Sequence, residues 1–195
     1  MNCPLDNECK SSCSPTNPNF VNHIPPNPFI LSQLNDARAK STIPSKQSCW
    51  LYPSHRQFYK STLSKGHDVD AKLIPTIVEI HNIINEKAWE HVMEYESLHK
   101  SSCSNPVLIH FVGRKDKPTI KSLLNAVIGY KRPYDRHDWT VDRCGKRRRY
   151  ILDFYEGFSE NPDKMGIHID VRPDLSFDGI CDRLRLWVHK SFGGA

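Results

Sequence analysis

Apolar residues recur at helical spacing between Asp70 and Lys100. Ile84, Ala88, Val92, Tyr95 and His99 follow one another at intervals of three or four, the period of one buried helical face, and Trp89 and Met93 widen that face. Pro75 suits the first turn of a helix running to about Ile80, and Asn85 suits the cap of a second one. The pattern therefore predicts two helices with His81 at their join. A further short helix is expected from Ser54 to about Leu63, ended by Gly66. "NPVLIHFVG" alternates as a strand does, and "TIKSLLNAVIGY" reads as a helix closed by Gly129. "DWTVDRCGKRRRYILDFYEG" reads as two strands about a turn at residues 144–146, and "GIHIDVRP" as another strand stopped by Pro173. "SFDGICDRLRLWVHKSF" closes the pattern as an amphipathic helix expected to turn Ile180, Leu184 and Trp187 or Val188 inward. Strands and helices are segregated along the chain, so the expected class is α+β, a small antiparallel sheet packed with several helices.

The first 48 residues break the pattern. They are rich in Pro, Asn and Ser ("SPTNPNF", "HIPPNPF") and are expected to form a disordered or irregular tail, leaving residues 49–195 as the folded domain. No run of about 20 apolar residues is present to span a bilayer, and Asp6 and Glu8 near the start fit neither a signal peptide nor an acid-poor transit peptide. The formal charge of +5 favours acidic partners without choosing among nucleic acid, an anionic membrane and an anionic cofactor. The seven cysteines form no CxxC or CxxCH, which removes support for zinc-ribbon, thioredoxin-like and c-type haem-attachment readings; their scatter suggests free thiols.

Three features bear on chemistry. "YDRHDW" gathers Asp135, Arg136, His137, Asp138 and Trp139; a carboxylate beside an imidazole fixes its tautomer, which suits a base or a metal ligand and equally suits a polar network at a strand entry. "GKRRRY" is the densest basic run and reads either as an RNA-binding patch or as a solvated turn; no aromatic RNP-like motif accompanies it. His81 stands alone, without the i, i+4 partner of a helical zinc pair, and Cys3 precedes Pro4. Imidazole and thiolate are both axial ligands of haem iron, but a lone histidine is ordinarily structural.

Taken together, "WLYPSHRQFY", "EIHNIINEKAWEHVMEYESLH", "NPVLIHFVGR", "GYKRPYDRHDWTVDRCG", "RYILDFYEG" and "HIDVRPDLSFDGICDRLR" occur in an order and spacing that resemble the holocytochrome c synthases, also called cytochrome c haem lyases. The resemblance covers most of Cys49–Phe192, and the "PYDRHDW…DRCG" block is its most specific part. It implies haem b as cofactor and substrate, with His81 as the axial, metal-ligating residue. Trp50, Tyr52, Pro53, Phe58 and Trp89 are then expected beside the porphyrin, His137, Asp138 and Arg143 around the same site, and Cys3 in an N-terminal haem-regulatory motif. Glu86 and Arg143 match functional positions and join His81 as candidate catalytic residues. The implied reaction attaches haem to apocytochrome c, and secondarily to apocytochrome c1, through thioethers to the two cysteines of a CxxCH motif. The resemblance also implies the mitochondrial intermembrane space, peripheral on the inner membrane, and no nucleic-acid partner. A haem carrier or sensor without attachment activity is the alternative. "RKDKPTIKSLL" departs from the Arg-rich stretch of the family.

Overall fold

The helix expected to break at His81 does not break. In the computed structural model, which describes residues 25–46, 49–114, 117–158 and 166–192, residues Ile74–Glu96 form one continuous helix, α3 in chain order. After Pro75 nothing in this stretch forces a stop: it contains no glycine and no further proline. Asn82 and Asn85 are only mild helix opponents, and packing overrides such preferences. Ile74, Val78, Ala88, Val92 and Glu96 are buried along it.

The chain divides into two compact units. Among the described residues, one takes those up to Ala39 and again from Tyr52 to His81; the other takes those of Lys40–Leu51 and from Asn82 on. In the first, α1 (Pro28–Gln33) begins with proline at its first position, and the Asn27 side chain accepts from the Phe29 N–H at 2.9 Å. Helix α2 (His55–Ser64) begins with a reciprocal cap: Ser54 Oγ accepts from Gln57 N–H at 3.2 Å, and Gln57 Oε1 accepts from Ser54 N–H at 3.1 Å. Leu34, Tyr59, Leu63, Ile74 and Val78 form its core.

The second unit holds two antiparallel sheets. Strands β1 (Lys40–Pro44) and β2 (Cys49–Leu51) pair in the smaller one. The larger has the order β3 (Val107–Gly113), β4 (Asp135–Arg143), β5 (Lys146–Gly157) and β6 (Gly166–Pro173). The β4–β5 turn is Cys144–Gly145, and both residues have positive φ, 46° and 92°. This two-residue turn twists in the sense that hairpin strands require, and glycine adopts its second position without strain.

Alternation then sorts the side chains. Leu108, Trp139, Val141, Tyr150, Leu152, Phe154 and Val171 share one face and form the core with Ile43 and with Ala88, Trp89 and Val92 of α3. Arg136, Asp138, Asp153, Asp170 and Arg172 share the other, against which α4 (Ile120–Val127) is held by polar contacts.

The α+β arrangement is the expected one; three details differ. Residues 28–46, assigned to an irregular tail, contain α1 and β1, and Leu34 and Ile43 are buried. Composition hid this because a few well-placed apolar residues suffice to anchor a proline-rich stretch. The last helix, α5 (Phe177–Phe192), does not turn its apolar stripe inward. Trp187 and Leu184 are 63% and 59% exposed, whereas Gly179, Asp182 and Leu186 are buried. A polar anchor sets that orientation: Asp182 meets Arg143 and His99. Gly179 allows the close approach, since a Cβ there would lie 2.2 Å from the Asp174 carbonyl oxygen. Finally, Cys103 and Cys144, expected as free thiols, form a disulfide. They are 41 residues apart and meet only because the hairpin turn reaches the segment after α3. Cys181 is a free thiol, and Cys3 lies outside the described residues.

Candidate functional site

Helix α3 carries the residue of most interest. Its buried stripe steps from Ile74 to Val78 and resumes at Ala88, Val92 and Glu96. At 3.6 residues per turn the intervening positions of that stripe are His81 and Asn85. Both are half-buried, so the apolar stripe is interrupted by two polar side chains on the same line. Within the first unit, Phe58 of α2 meets the His81 ring edge-to-face, with centroids 5.8 Å apart. Tyr52 and Pro53 are half-buried just ahead of the Ser54 cap. Their backbone is pinned: Tyr52 N–H donates to Ala39 O at 2.9 Å, and Arg38 Nε donates to Tyr52 O at 2.9 Å. His81, Phe58, Tyr52 and Pro53 are thus all fixed by elements of one unit, and the structure brings His81 and Phe58 together.

The remaining predicted residues belong to the second unit. Trp50 and Trp89 join the same apolar cluster, Trp89 as a buried member and Trp50 packed against it. Trp50 also meets Phe111 at 5.4 Å. His137 lies on the apolar face, 5.4 Å from Phe154, with Nε2 3.3 Å from Asp135 Oδ2. Three buried nitrogens here, Trp50 Nε1, His137 Nδ1 and Trp139 Nε1, have no hydrogen-bond partner among the described residues. Buried polar atoms are rarely left so, and a polar group on a ligand is one way of satisfying them.

Asp138, adjacent to His137 in sequence, points to the other face. Its carboxylate is surrounded by Arg136, Arg114 and Arg149 at 2.9, 3.0 and 2.8 Å. The compact "DRHDW" cluster is therefore split by strand alternation into two environments, and His137 and Asp138 do not share a site.

Glu86 and Arg143 hold structure together. Glu86 Oε1 accepts from Ser41 Oγ at 2.6 Å and from Thr42 N–H at 3.1 Å, tying α3 to β1. Arg143 ends β4, six residues or about 20 Å along the strand from His137. Its guanidinium reaches Glu96 at 2.7 and 3.0 Å and Asp182 at 3.1 Å, and Tyr150 O–H donates to Glu96 at 2.6 Å. His99 Nε2 lies 2.7 Å from the other Asp182 oxygen, so the imidazole supplies a donor to that carboxylate. Burial pulls the guanidinium pKa down, but Glu96, Tyr150 and Asp182 more than reverse this and hold it above its ordinary value. Burial, and then the charge of Glu96, pushes the Tyr150 hydroxyl well above the usual tyrosine range. The sequence signalled Arg143 through "DRCG" but not its partners Glu96, Tyr150 and Asp182, which are brought in from distant elements. The rest of that motif also has physical roles: Asp142 accepts from Gly145 N–H at 2.7 Å, and Cys144 forms the disulfide.

Two clefts in the second unit, of about 190 and 370 Å³, are both lined by Arg143 and Asp182. Neither is lined by Trp50, Trp89 or His137. Among the described residues no group of three or more His, Cys, Asp or Glu is placed to hold a metal ion.

Comparison with known proteins agrees with the sequence resemblance. Residues 7–187 match the family described as cytochrome c/c1 heme lyase. The holocytochrome c-type synthase of Homo sapiens is 35% identical, over 95% of this chain and 74% of the relative. The putative holocytochrome-c1 synthase of Schizosaccharomyces pombe is 36% identical, over 87% and 81%. The holocytochrome-c synthase of Saccharomyces cerevisiae is 30% identical, over 98% and 88%. No solved structure matches the chain. The agreement extends from near the first residue to α5, through the segments that carry His81, Glu86, the hairpin and the buried network: the chain belongs to the cytochrome c/c1 heme lyase family.

Proposed function

We propose that this protein attaches haem b covalently to apocytochrome c, with apocytochrome c1 as a second substrate, and that His81 is the axial ligand on the protein's side. Family membership and relatives named as holocytochrome c-type synthases support the reaction class. The observation that carries the residue assignment is the interruption of the buried α3 stripe at His81, whose ring is braced by Phe58. An imidazole on a rigid helix, half-buried and set by an aromatic contact, is suited to hold an iron axially.

The chemistry is an addition. Each substrate S–H adds across a haem vinyl C=C; a C–S bond forms, the hydrogen goes to the neighbouring vinyl carbon, and no oxidant is consumed. The histidine of the substrate's CxxCH motif supplies the opposite axial ligand. Binding from both sides holds the two thiols beside the two vinyls, so proximity and orientation provide much of the acceleration. Tyr52, Pro53 and Phe58, fixed in the same unit as His81, are assigned to the haem surroundings. Glu86 and Arg143 act as positioning residues, one fixing α3 to β1 and the other fixing the network at the hairpin. Asp138 serves the charged face of the sheet. The Cys103–Cys144 disulfide favours an oxidising compartment, as the mitochondrial intermembrane space requires, and the basic surplus favours a peripheral place on the inner membrane.

The test is co-expression with apocytochrome c in a bacterium lacking its own attachment system. Haem that stays on the cytochrome in a denaturing gel supports attachment. Haem bound to this protein, with none covalently on the cytochrome, overturns it in favour of a carrier.

A further inference from the structure

Helix α4 is oriented the wrong way round for a helix on a globular domain. Thr119 and Ser122 are buried, whereas Ile120, Leu123, Leu124, Val127 and Ile128 are exposed, Val127 to 84%. At 100° per residue these apolar side chains occupy an arc of about 140°, and exposed Tyr130 follows them.

The cause lies in the sheet beneath. Asp153 of β5 and Asp170 of β6 are directly paired, a repulsive arrangement for two carboxylates on one face. Arg172 bridges them, bonding to both and to Thr119 Oγ1, the last at 2.9 Å. Thr119 Oγ1 donates to Asp153 at 3.1 Å, and Lys121 Nζ reaches Asp170 at 2.6 Å. Only the polar side of α4 can meet such a surface, so its apolar side is turned out. A contiguous apolar face of this kind is a candidate interaction surface.

Charge selects the occupant. From Lys117 to Tyr134 the chain carries four basic residues, Lys117, Lys121, Lys131 and Arg132, and no acidic one. All four are exposed; Lys121 and Lys131 also pair with Asp170 and Glu156, at 2.6 and 2.7 Å, so Lys117 and Arg132 are the cations that carry this selection. The apolar residues form a ridge, with basic residues at both ends and tyrosine at one. A ridge of this chemistry fits a planar anionic boundary, where apolar side chains enter the acyl region and the cations stay at the headgroups. No helix among the described residues is long and apolar enough to cross a membrane.

We propose that α4 and its flanks, residues 117–134, are the element that docks this protein on an anionic phospholipid surface. This deepens the membrane part of the reading above, but it does not depend on the haem chemistry. Its test is sedimentation of the full-length protein with vesicles, without haem or cytochrome present. The wild type is expected to bind vesicles of phosphatidylcholine with phosphatidylserine, to bind pure phosphatidylcholine several-fold less, and to weaken as salt rises. Leu124→Glu combined with Val127→Glu is expected to weaken binding about tenfold or more. Because both side chains are exposed, far-ultraviolet circular dichroism should stay unchanged. Lys117→Gln with Arg132→Gln should narrow the preference for the anionic vesicles while leaving the apolar ridge intact. No binding by the wild type, or equal binding by the Glu variant, overturns the proposal. Unchanged vesicle binding with loss of attachment to apocytochrome c also overturns it and gives the face to a protein partner. Loss of vesicle binding with attachment retained in solution supports it, whereas failure of attachment in the wild type strikes only the reading above.

Discussion

The two faces of the four-stranded sheet are made by alternate residues of the same strands, yet they are held by different physics. On one face Trp139, Val141, Tyr150, Leu152 and Phe154 exclude water against α3. On the other, Asp138 and Asp153 are buried under arginines. The first face tolerates imperfect geometry, because burial is roughly proportional to area and has no direction. The second does not, because each charge taken from water must meet its partners or cost several kcal/mol. The charged face also dictates what covers it, and this leaves the apolar side of α4 facing out.

The largest expected effect comes from unbalancing the charged face. Arg172→Ala leaves Asp153 buried without its cation and should cost about 3–5 kcal/mol in chemical denaturation. Replacing both members, Asp153→Leu with Arg172→Leu, should cost much less than the two single losses added together. Additive losses would mean that this face is held by something other than the ion pair. On the apolar face, Leu152→Ala should cost about 2–5 kcal/mol as a cavity, without the compensation seen for the charged pair. A loss well below about 1 kcal/mol would show that Leu152 contributes little buried area to this face, against its place in the core.

The same contrast explains what the sequence disclosed. The apolar face was readable: β3 to β6 followed from alternation, and Trp89 and Val92 from helical spacing. The charged face was misread because one-dimensional adjacency is not spatial adjacency on a strand. Asp138 and His137 looked like one cluster and point to opposite sides. For α5, periodicity correctly located an apolar stripe, but the stripe's direction was set by Asp182 meeting Arg143, a contact between distant segments. The Cys103–Cys144 pair was invisible for the same reason. In α3 the period was right and the break was not, since Asn85 as a cap is a local preference that packing overrode. His81 itself was legible only through the family resemblance. The structure adds its place on the buried stripe of α3 and its contact with Phe58.

That placement carries the central claim, and one variant tests it most directly. His81→Ala, co-expressed with apocytochrome c, should keep its far-ultraviolet circular dichroism and lose both the haem Soret absorbance of the purified protein and the covalent haem on the cytochrome. Full covalent product and an unchanged Soret band from the folded variant would contradict His81 as the axial ligand.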